Sequence, residues 1–397
     1  MHILIIEPAS TGHHFIYLEK IATSYLESGH HITLCTPKIL HEHACIKRLI
    51  TNYGSSIIVT PLSDETYQSV LNTKSSDISR EFYIRKIFGK TYQEVNRIKS
   101  VDYVFLPYLD YCLYAIGLLG SPFGKTQWGG ICMRPSFHHQ KYGVITPKPK
   151  FAKIKKILFT KVLSIQTLNK VFTIDEILDR YISDHHPLLK KSIEYIADPA
   201  EFVGTHTYQS ARAKLEIPES ATVILVYGAI DERKGIRSLV SALNSTNHSS
   251  EIHLLLVGKQ SEEIRHFLKS KASKLFARNC YHVQDRFVTN EYQQMAFAAS
   301  DIVWLGYRNH FTMSGVLVLA AISGKPIIGT EQGLIGWYIK EKKLGFCIDT
   351  ENPVEINEAI KSLSIKTQSN HTTFKSEYFN SHNWENFLRH LRLHKTN

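Results

Sequence analysis

The stretch that decides the fold is His310 to Asp349, HFTMSGVLVLAAISGKPIIGTEQGLIGWYIKEKKLGFCID. A small-residue turn holding Thr312, Ser314 and Gly315 feeds an apolar run from Val316 to Ile322. Gly324-Lys325-Pro326 breaks that run, and the β-branched segment Pro326 to Thr330 follows. Gly333 and Gly336 then precede a second helical pattern ending near Gly345. The order predicts loop, buried helix, turn, buried strand and glycine-rich loop. The first helix would aim its N-terminal amides, with their partial positive charge, at a strand-end crevice suited to a phosphate. The same pattern also reads as an ordinary helix–turn–strand unit of an α/β domain.

Outward from that stretch, strand patterns recur at Thr222–Gly228, His253–Gly258, Tyr281–Val283 and Ile302–Leu305. The first half repeats the theme. Ile3–Glu7 reads as a buried strand, Phe15–Ser28 as a helix stopped by Gly29-His30, and His31–Cys35 as the next strand. That βαβ unit implies a parallel sheet. Further strands are expected at Ser56–Thr60, Tyr103–Leu106, Trp128–Met133 and Lys170–Thr173, with helices over Ser79–Ile98 and Tyr111–Leu119. A strand ending at Ala197-Asp198-Pro199 sets the boundary. The fold class expected is α/β, with two Rossmann-like parallel-sheet domains (1–196 and 197–375) facing across a cleft.

A chain of 397 residues is long enough for two domains with their own cores. Its six cysteines are scattered, without a CxxC pair or a secreted-type framework, which favours a reducing compartment and gives no metal site. Met1 to Pro8 reads as a first strand rather than a signal peptide. Val101 to Phe123 carries Asp102, Asp110 and Pro107 and does not read as a membrane span. Lys and Arg number 47 against 36 Asp and Glu, with 24 against 16 in residues 1–196. The excess suits an anionic partner: a membrane surface, a phosphorylated lipid, nucleotide phosphates or nucleic acid. Nucleic acid is set aside, because no reader motif interleaves the basic residues.

The second constellation is Tyr227-Gly228-Ala229-Ile230-Asp231-Glu232-Arg233-Lys234-Gly235. A strand ends at Gly228, and Lys234-Gly235 opens a helix. Arg233 and Lys234 at that junction can neutralise a diphosphate, Arg as a bidentate fork and Lys as a point charge. The alternative is a solvated turn with a surface Asp231/Lys234 pair worth little. In the first half, Trp128 to His139 is a strand running into a loop with Arg134, His138 and His139. Arg134 suits a phosphate, and either histidine suits a sugar hydroxyl or the acceptor proton. Gly12 and His13 sit in the turn after strand one, at a crevice edge. Asp110 follows a strand end and also reads as a helix N-cap. Residues 148–163 are basic and amphipathic, with Phe151, Ile154, Leu158 and Val162 at helical spacing. They read either as a peripheral membrane contact or as a surface helix with a solvated lysine face.

The order of these motifs resembles glycosyltransferase family 4, of group 1. The glycine and Lys234-Gly235 after a strand carry the resemblance, with Leu256-Val257-Gly258, Ala299-Ser300-Asp301-Ile302 and the opening stretch. Thr11-Gly12-His13-His14, Gly29 to Thr33 and Asn383 to Phe387 extend it to both ends. The resemblance implies a GT-B fold whose C-terminal helix, within 376–397, crosses back to the N-terminal domain. It implies sugar transfer from a nucleotide-sugar donor with retention, to a glycan or lipid-linked acceptor, with no metal and no cofactor. The donor would meet Gly12, Gly228, Arg233, Lys234, Thr312, Ser314, Gly315 and Val316; His13, Arg134 and His138 would serve the reaction. The cysteine usage, the basic excess and the helix at 148–163 give the expected location as cytoplasmic, peripheral at the inner face of a membrane. Two departures stand out. Ala229 replaces the family's arginine, and the family's two glutamates fall on Phe311 and Leu319. Glu331 is a candidate substitute. A non-catalytic partner subunit and a nucleotide-sugar 2-epimerase are the competing readings.

Overall fold

The computed structural model describes residues 1–8, 14–62, 77–201, 204, 206–245, 252–271, 279–369 and 377–393. The chain divides into two compact units. The first is residues 1–138, 148–197 and 384–397; the second is residues 139–147 and 198–383.

The first unit holds one parallel sheet of β1 (His2–Ile6), β2 (His31–Thr36), β3 (Ile57–Pro61), β4 (Tyr103–Leu106), β5 (Gln127–Cys132), β6 (Leu168–Thr173) and β7 (Ile193–Tyr195). Their order is β3-β2-β1-β4-β5-β6-β7. Its helices are α1 (His14–Glu27), α2 (Ala44–Tyr53), α3 (Asp77–Ile98), α4 (Leu113–Leu119), α5 (Ala152–Leu163) and α6 (Glu176–His185). Strands covered by helices on both faces need apolar residues on both, and β1 and β4 are buried at every position.

The second unit holds β8 (Thr222–Tyr227), β9 (Ile252–Val257), β10 (Tyr281–Gln284), β11 (Ile302–Leu305), β12 (Ile327–Thr330) and β13 (Gly345–Ile348). Their order is β10-β9-β8-β11-β12-β13, all parallel. Between them run α7 (Tyr208–Lys214), α8 (Ile236–Ser245), α9 (Glu262–Lys271), α10 (Asn290–Ala299), α11 (Gly315–Ile322), α12 (Gly333–Glu341) and α13 (Pro353–Ser369). Ile224, Val226, Leu254, Leu256, Trp304 and Ile328 fill the core against α8 and α13. In both sheets the strand order reverses beside the first strand, and the crevice at that reversal is where such sheets bind ligands.

The two expected Rossmann-like parallel sheets are therefore present. The last helix, α14 (Trp384–Leu391), belongs to the first unit. Trp384 and Phe387 meet Tyr17 of α1 edge-on at 5.1 and 5.3 Å, and His390 Nδ1 lies 2.5 Å from Glu194 Oε1. Glu377 to Asn383 stay with the second unit, where His382 bonds the Asp198 carbonyl at 2.9 Å. Residues 139–147 also join that unit: Gly333 donates to the Ile145 carbonyl at 2.9 Å and Trp337 Nε1 to Tyr142 at 3.2 Å. The expected glycine-rich loop at 333–336 is instead the first turn of α12.

Candidate active site

In the second unit the crevice lies between the ends of β8 and β11. After β8 the chain turns through Gly228, whose φ of +96° favours glycine. It then forms a short 3-10 turn, Glu232–Lys234, capped by the Asp231 carboxylate accepting from Arg233 N. Gly235 closes the turn in the left-handed region (φ +65°), and a Cβ there would collide with the Gly306 carbonyl. Two further bonds fix the turn to the end of β11. Trp304 Nε1 donates to the Lys234 carbonyl at 2.8 Å, and Arg308 N to the Arg233 carbonyl at 2.8 Å.

This stitching drives Lys234 inward. The residue is 3% exposed, which excludes the surface-pair alternative; Arg233, not Lys234, pairs with Asp231, at 3.6 Å. Lys234 Nζ donates to the Tyr227 carbonyl at 2.8 Å and to the Tyr307 hydroxyl, and stands 4.2 Å from the Tyr307 ring centre. An ammonium has three donors. Neither acceptor named here carries a formal negative charge, so the charge remains available to an anion. Ser314 occupies the N-cap position of α11 without capping it; its Oγ donates to the Tyr307 hydroxyl at 3.3 Å instead. The first amides of α11 thus receive no bond from Ser314 Oγ. Gly315 is exposed, and a Cβ added there would meet nothing within 4 Å. A Cβ on Gly228 would lie 3.5 Å from Lys234 Nζ and 3.9 Å from Val316 Cγ2. Gly228, Lys234, Ser314 and Val316 therefore meet at one point.

Arg233 reaches the rim, with its guanidinium 5.8 Å from the Tyr307 ring. Thr312 is half-buried in the loop before Ser314. Glu331 is exposed and pairs loosely with Lys340 at 3.7 Å. Phe311 is half-buried and Leu319 buried, so the crevice gains no carboxylate from either position. Sequence reasoning missed Tyr307 and His310. His310 packs edge-on to Tyr307 at 5.2 Å, and burial, with the charges of Arg233 and Lys234, holds its imidazole below the usual range. No local signal marks Tyr307, whose place depends on β11 lying beside β8.

The first unit presents a crevice of different character. At the ends of β1 and β4, His14 Nδ1 lies 3.6 Å from Glu7 Oε1, and its ring meets Tyr108 edge-on at 5.0 Å. Tyr108 and Tyr111 stand 4.9 Å apart, with the Arg134 guanidinium 5.1 Å from Tyr108. Asp110 caps no helix. Its carboxylate accepts from Met133 N at 2.8 Å and Arg134 N at 3.0 Å, holding the loop after β5. Burial raises its pKa, with those two amides and Arg134 opposing. The N-terminus of α4 is served from α3, where Glu81 accepts from Tyr114 N and Ala115 N.

His138 is fully buried, with Nε2 2.9 Å from Asp175 Oδ2. The same Asp175 carboxylate caps α6 through Ile177 N and Leu178 N. The imidazole thus ties the loop after β5 to α6, out of reach of solvent. Gly12 and His13 lie outside the described residues.

Residues 208–375 match the family described as Glycosyl transferases group 1. No curated protein matches the sequence. Among solved structures, sucrose-phosphate synthase from Thermosynechococcus elongatus aligns with a TM-score of 0.66 at 15% identity, over 98% of this chain and 97% of that one. The Anabaena protein HepE, solved with UDP and glucose, aligns at 0.63 and 13%, over 98% of each chain. WaaG, a glycosyltransferase of lipopolysaccharide biosynthesis, aligns at 0.58 and 14%, over 97% of this chain and 95% of that one. At these identities the structures speak for the fold.

Proposed function

We propose, for a chain that carries a group 1 glycosyltransferase domain on a GT-B fold, that it moves a sugar from a nucleotide-sugar donor to a glycan or lipid-linked acceptor in cell-surface polysaccharide synthesis. The single observation behind this reading is the buried Lys234 ammonium beside the open start of α11. When the bond from the sugar's anomeric carbon to the diphosphate breaks, negative charge grows on the leaving phosphate oxygen. A fixed ammonium and helix-terminal amides stabilise that charge with little reorganisation. They do what a bound metal does elsewhere, so the reaction needs none. Transfer proceeds with retention at the anomeric carbon.

The donor's diphosphate lies against Gly228, Lys234, Ser314, Gly315 and Val316, with Arg233 at the rim. Thr312 and Glu331 serve the nucleotide or sugar. The acceptor meets Arg134 in the first unit. His138 serves by holding this loop in place. UDP-glucose is the first donor to test, because HepE was solved with UDP and glucose. The reading extends to a cytoplasmic location at the inner face of a membrane; among the described residues no helix is long and apolar enough to cross one.

Release of nucleotide from UDP-, GDP-, ADP- and CMP-sugars, followed with and without EDTA, tests the reading. Turnover of one donor, unchanged by EDTA, supports it. Absence of turnover and of thermal stabilisation with every donor favours the non-catalytic partner subunit, for which the missing carboxylates at Phe311 and Leu319 argue.

A further inference from the structure

We propose that α4 and α5 together form a docking face for an anionic lipid bilayer. From Tyr111 to Ile174 the chain carries ten Lys and Arg and no Asp or Glu. A solvated helix surface ordinarily mixes both signs, and a tract of one sign over this length sets up a positive field. The second observation is apolar. The sequence places Phe151, Ile154, Leu158 and Val162 at helical spacing; of these α5 buries Val162 alone, together with Phe159 and Leu163. Phe151, Ile154 and Ile157 are left 64%, 54% and 54% exposed. On α4, Leu118 and Leu119 are 54% and 56% exposed.

These residues adjoin. The two helices approach so closely that a Cβ on Gly117 would collide with the Leu158 carbonyl, and Lys155 Nζ stands 5.6 Å from the Tyr114 ring. Phe151 adds a third observation. It holds the left-handed conformation (φ 59°) just before α5, where glycine or asparagine would fit with less strain. A large apolar side chain in that position is displayed rather than buried.

Exposed apolar side chains beside lysines, in a tract of sequence without an acidic residue, match the boundary between acyl chains and anionic headgroups. Leu118, Leu119, Phe151, Ile154 and Ile157 enter the acyl boundary. Lys148, Lys150, Lys153 and Lys161, all exposed, meet the headgroups. The face lies in the same unit as Asp110 and Arg134, so a membrane-borne acceptor would be held beside that crevice. Only this last clause rests on the proposed function; the bilayer contact itself does not.

Sedimentation of the full chain with vesicles tests the inference. Vesicles of phosphatidylcholine and phosphatidylglycerol are expected to carry the protein down, and phosphatidylcholine alone to leave it in solution. Each lysine near the surface contributes about fivefold in binding, so Lys153→Glu with Lys161→Glu is expected to weaken it more than about twentyfold. Ile154→Asp with Ile157→Asp is expected to abolish it. Both pairs are exposed, and unchanged melting temperatures confirm that the variants fold. Nucleotide binding, measured in parallel, should be unaffected. No binding to anionic vesicles, equal binding to neutral ones, or double variants that sediment like the parent would each overturn the proposal. Failure here with donor turnover intact removes the bilayer contact and the membrane location and leaves the transferase reading. Vesicle binding with no turnover leaves the contact and removes the transferase reading.

Discussion

The two crevices are built on the same strand order and carry opposite chemistry. Between β8 and β11 the buried ionic group is a cation, Lys234, held by a carbonyl and a hydroxyl. Between β1 and β4 the groups are carboxylates, Glu7 buried and Asp110 half-buried, with aromatic rings and one arginine around them. Topology supplies the position of a site, and a handful of side chains decides what it takes. An ammonium with uncharged partners suits an anion. Carboxylates, tyrosines and Arg134 suit a hydroxylated acceptor.

The contrast can be broken most sharply at Lys234. Lys234→Ala is expected to lower turnover by about 10³-fold, as loss of a preorganised charge does, with acceptor affinity unchanged. A variant that retains turnover within tenfold would remove Lys234 from the account. Next is the scaffold of the same crevice. Gly235→Ala puts a Cβ into the Gly306 carbonyl at a φ that disfavours it, and is expected to cost about 2–3 kcal/mol in urea unfolding of the second unit. Arg134→Ala tests the other crevice: the KM for acceptor should rise about tenfold, with that for donor unchanged. Tyr307→Phe removes the hydroxyl shared by Lys234 and Ser314 and should weaken nucleoside diphosphate binding about fivefold, seen by calorimetry.

A fifth test concerns pH. Burial, with Asp110 nearby, raises the Glu81 carboxyl from 4.5 to about 7, against the pull of the two α4 amides. The folded state therefore keeps a proton that the unfolded chain releases near 4.5. Stability is expected to fall as pH rises from about 4.5 to about 7, and Glu81→Gln should flatten that slope in denaturant titrations. An unchanged slope would show that Glu81 is ionised in the fold.

Much of the fold was legible because buried parallel strands are written as short apolar runs. Tyr103–Leu106 and Ile302–Leu305 stand where the sequence puts them, the other expected strands differ by a residue or two at their ends, and β13 (Gly345–Ile348) was not expected. The site was legible only in part. Gly228, Lys234, Ser314 and Val316 could be named from turns and helix starts, which are local signals. Tyr307 could not, because its role depends on β11 lying beside β8, far away in the chain. The depth of Lys234 was hidden for a similar reason: a lysine in a polar turn reads as solvated until Trp304 and Arg308 bind the turn to β11. The helical start at Gly333 was masked by its glycines. Gly333 packs against Phe311 and Gly336 against Glu331, so both report close backbone approach rather than a loop.

The central claim is that the second unit holds a diphosphate through Lys234 and the start of α11. Titration calorimetry with UDP, GDP and ADP, each against its nucleoside and in EDTA, tests it most directly. One diphosphate should bind at least about tenfold more tightly than its nucleoside, and Lys234→Ala should erase that difference. Equal binding of diphosphate and nucleoside, or a Lys234→Ala variant that binds like the parent, would contradict it.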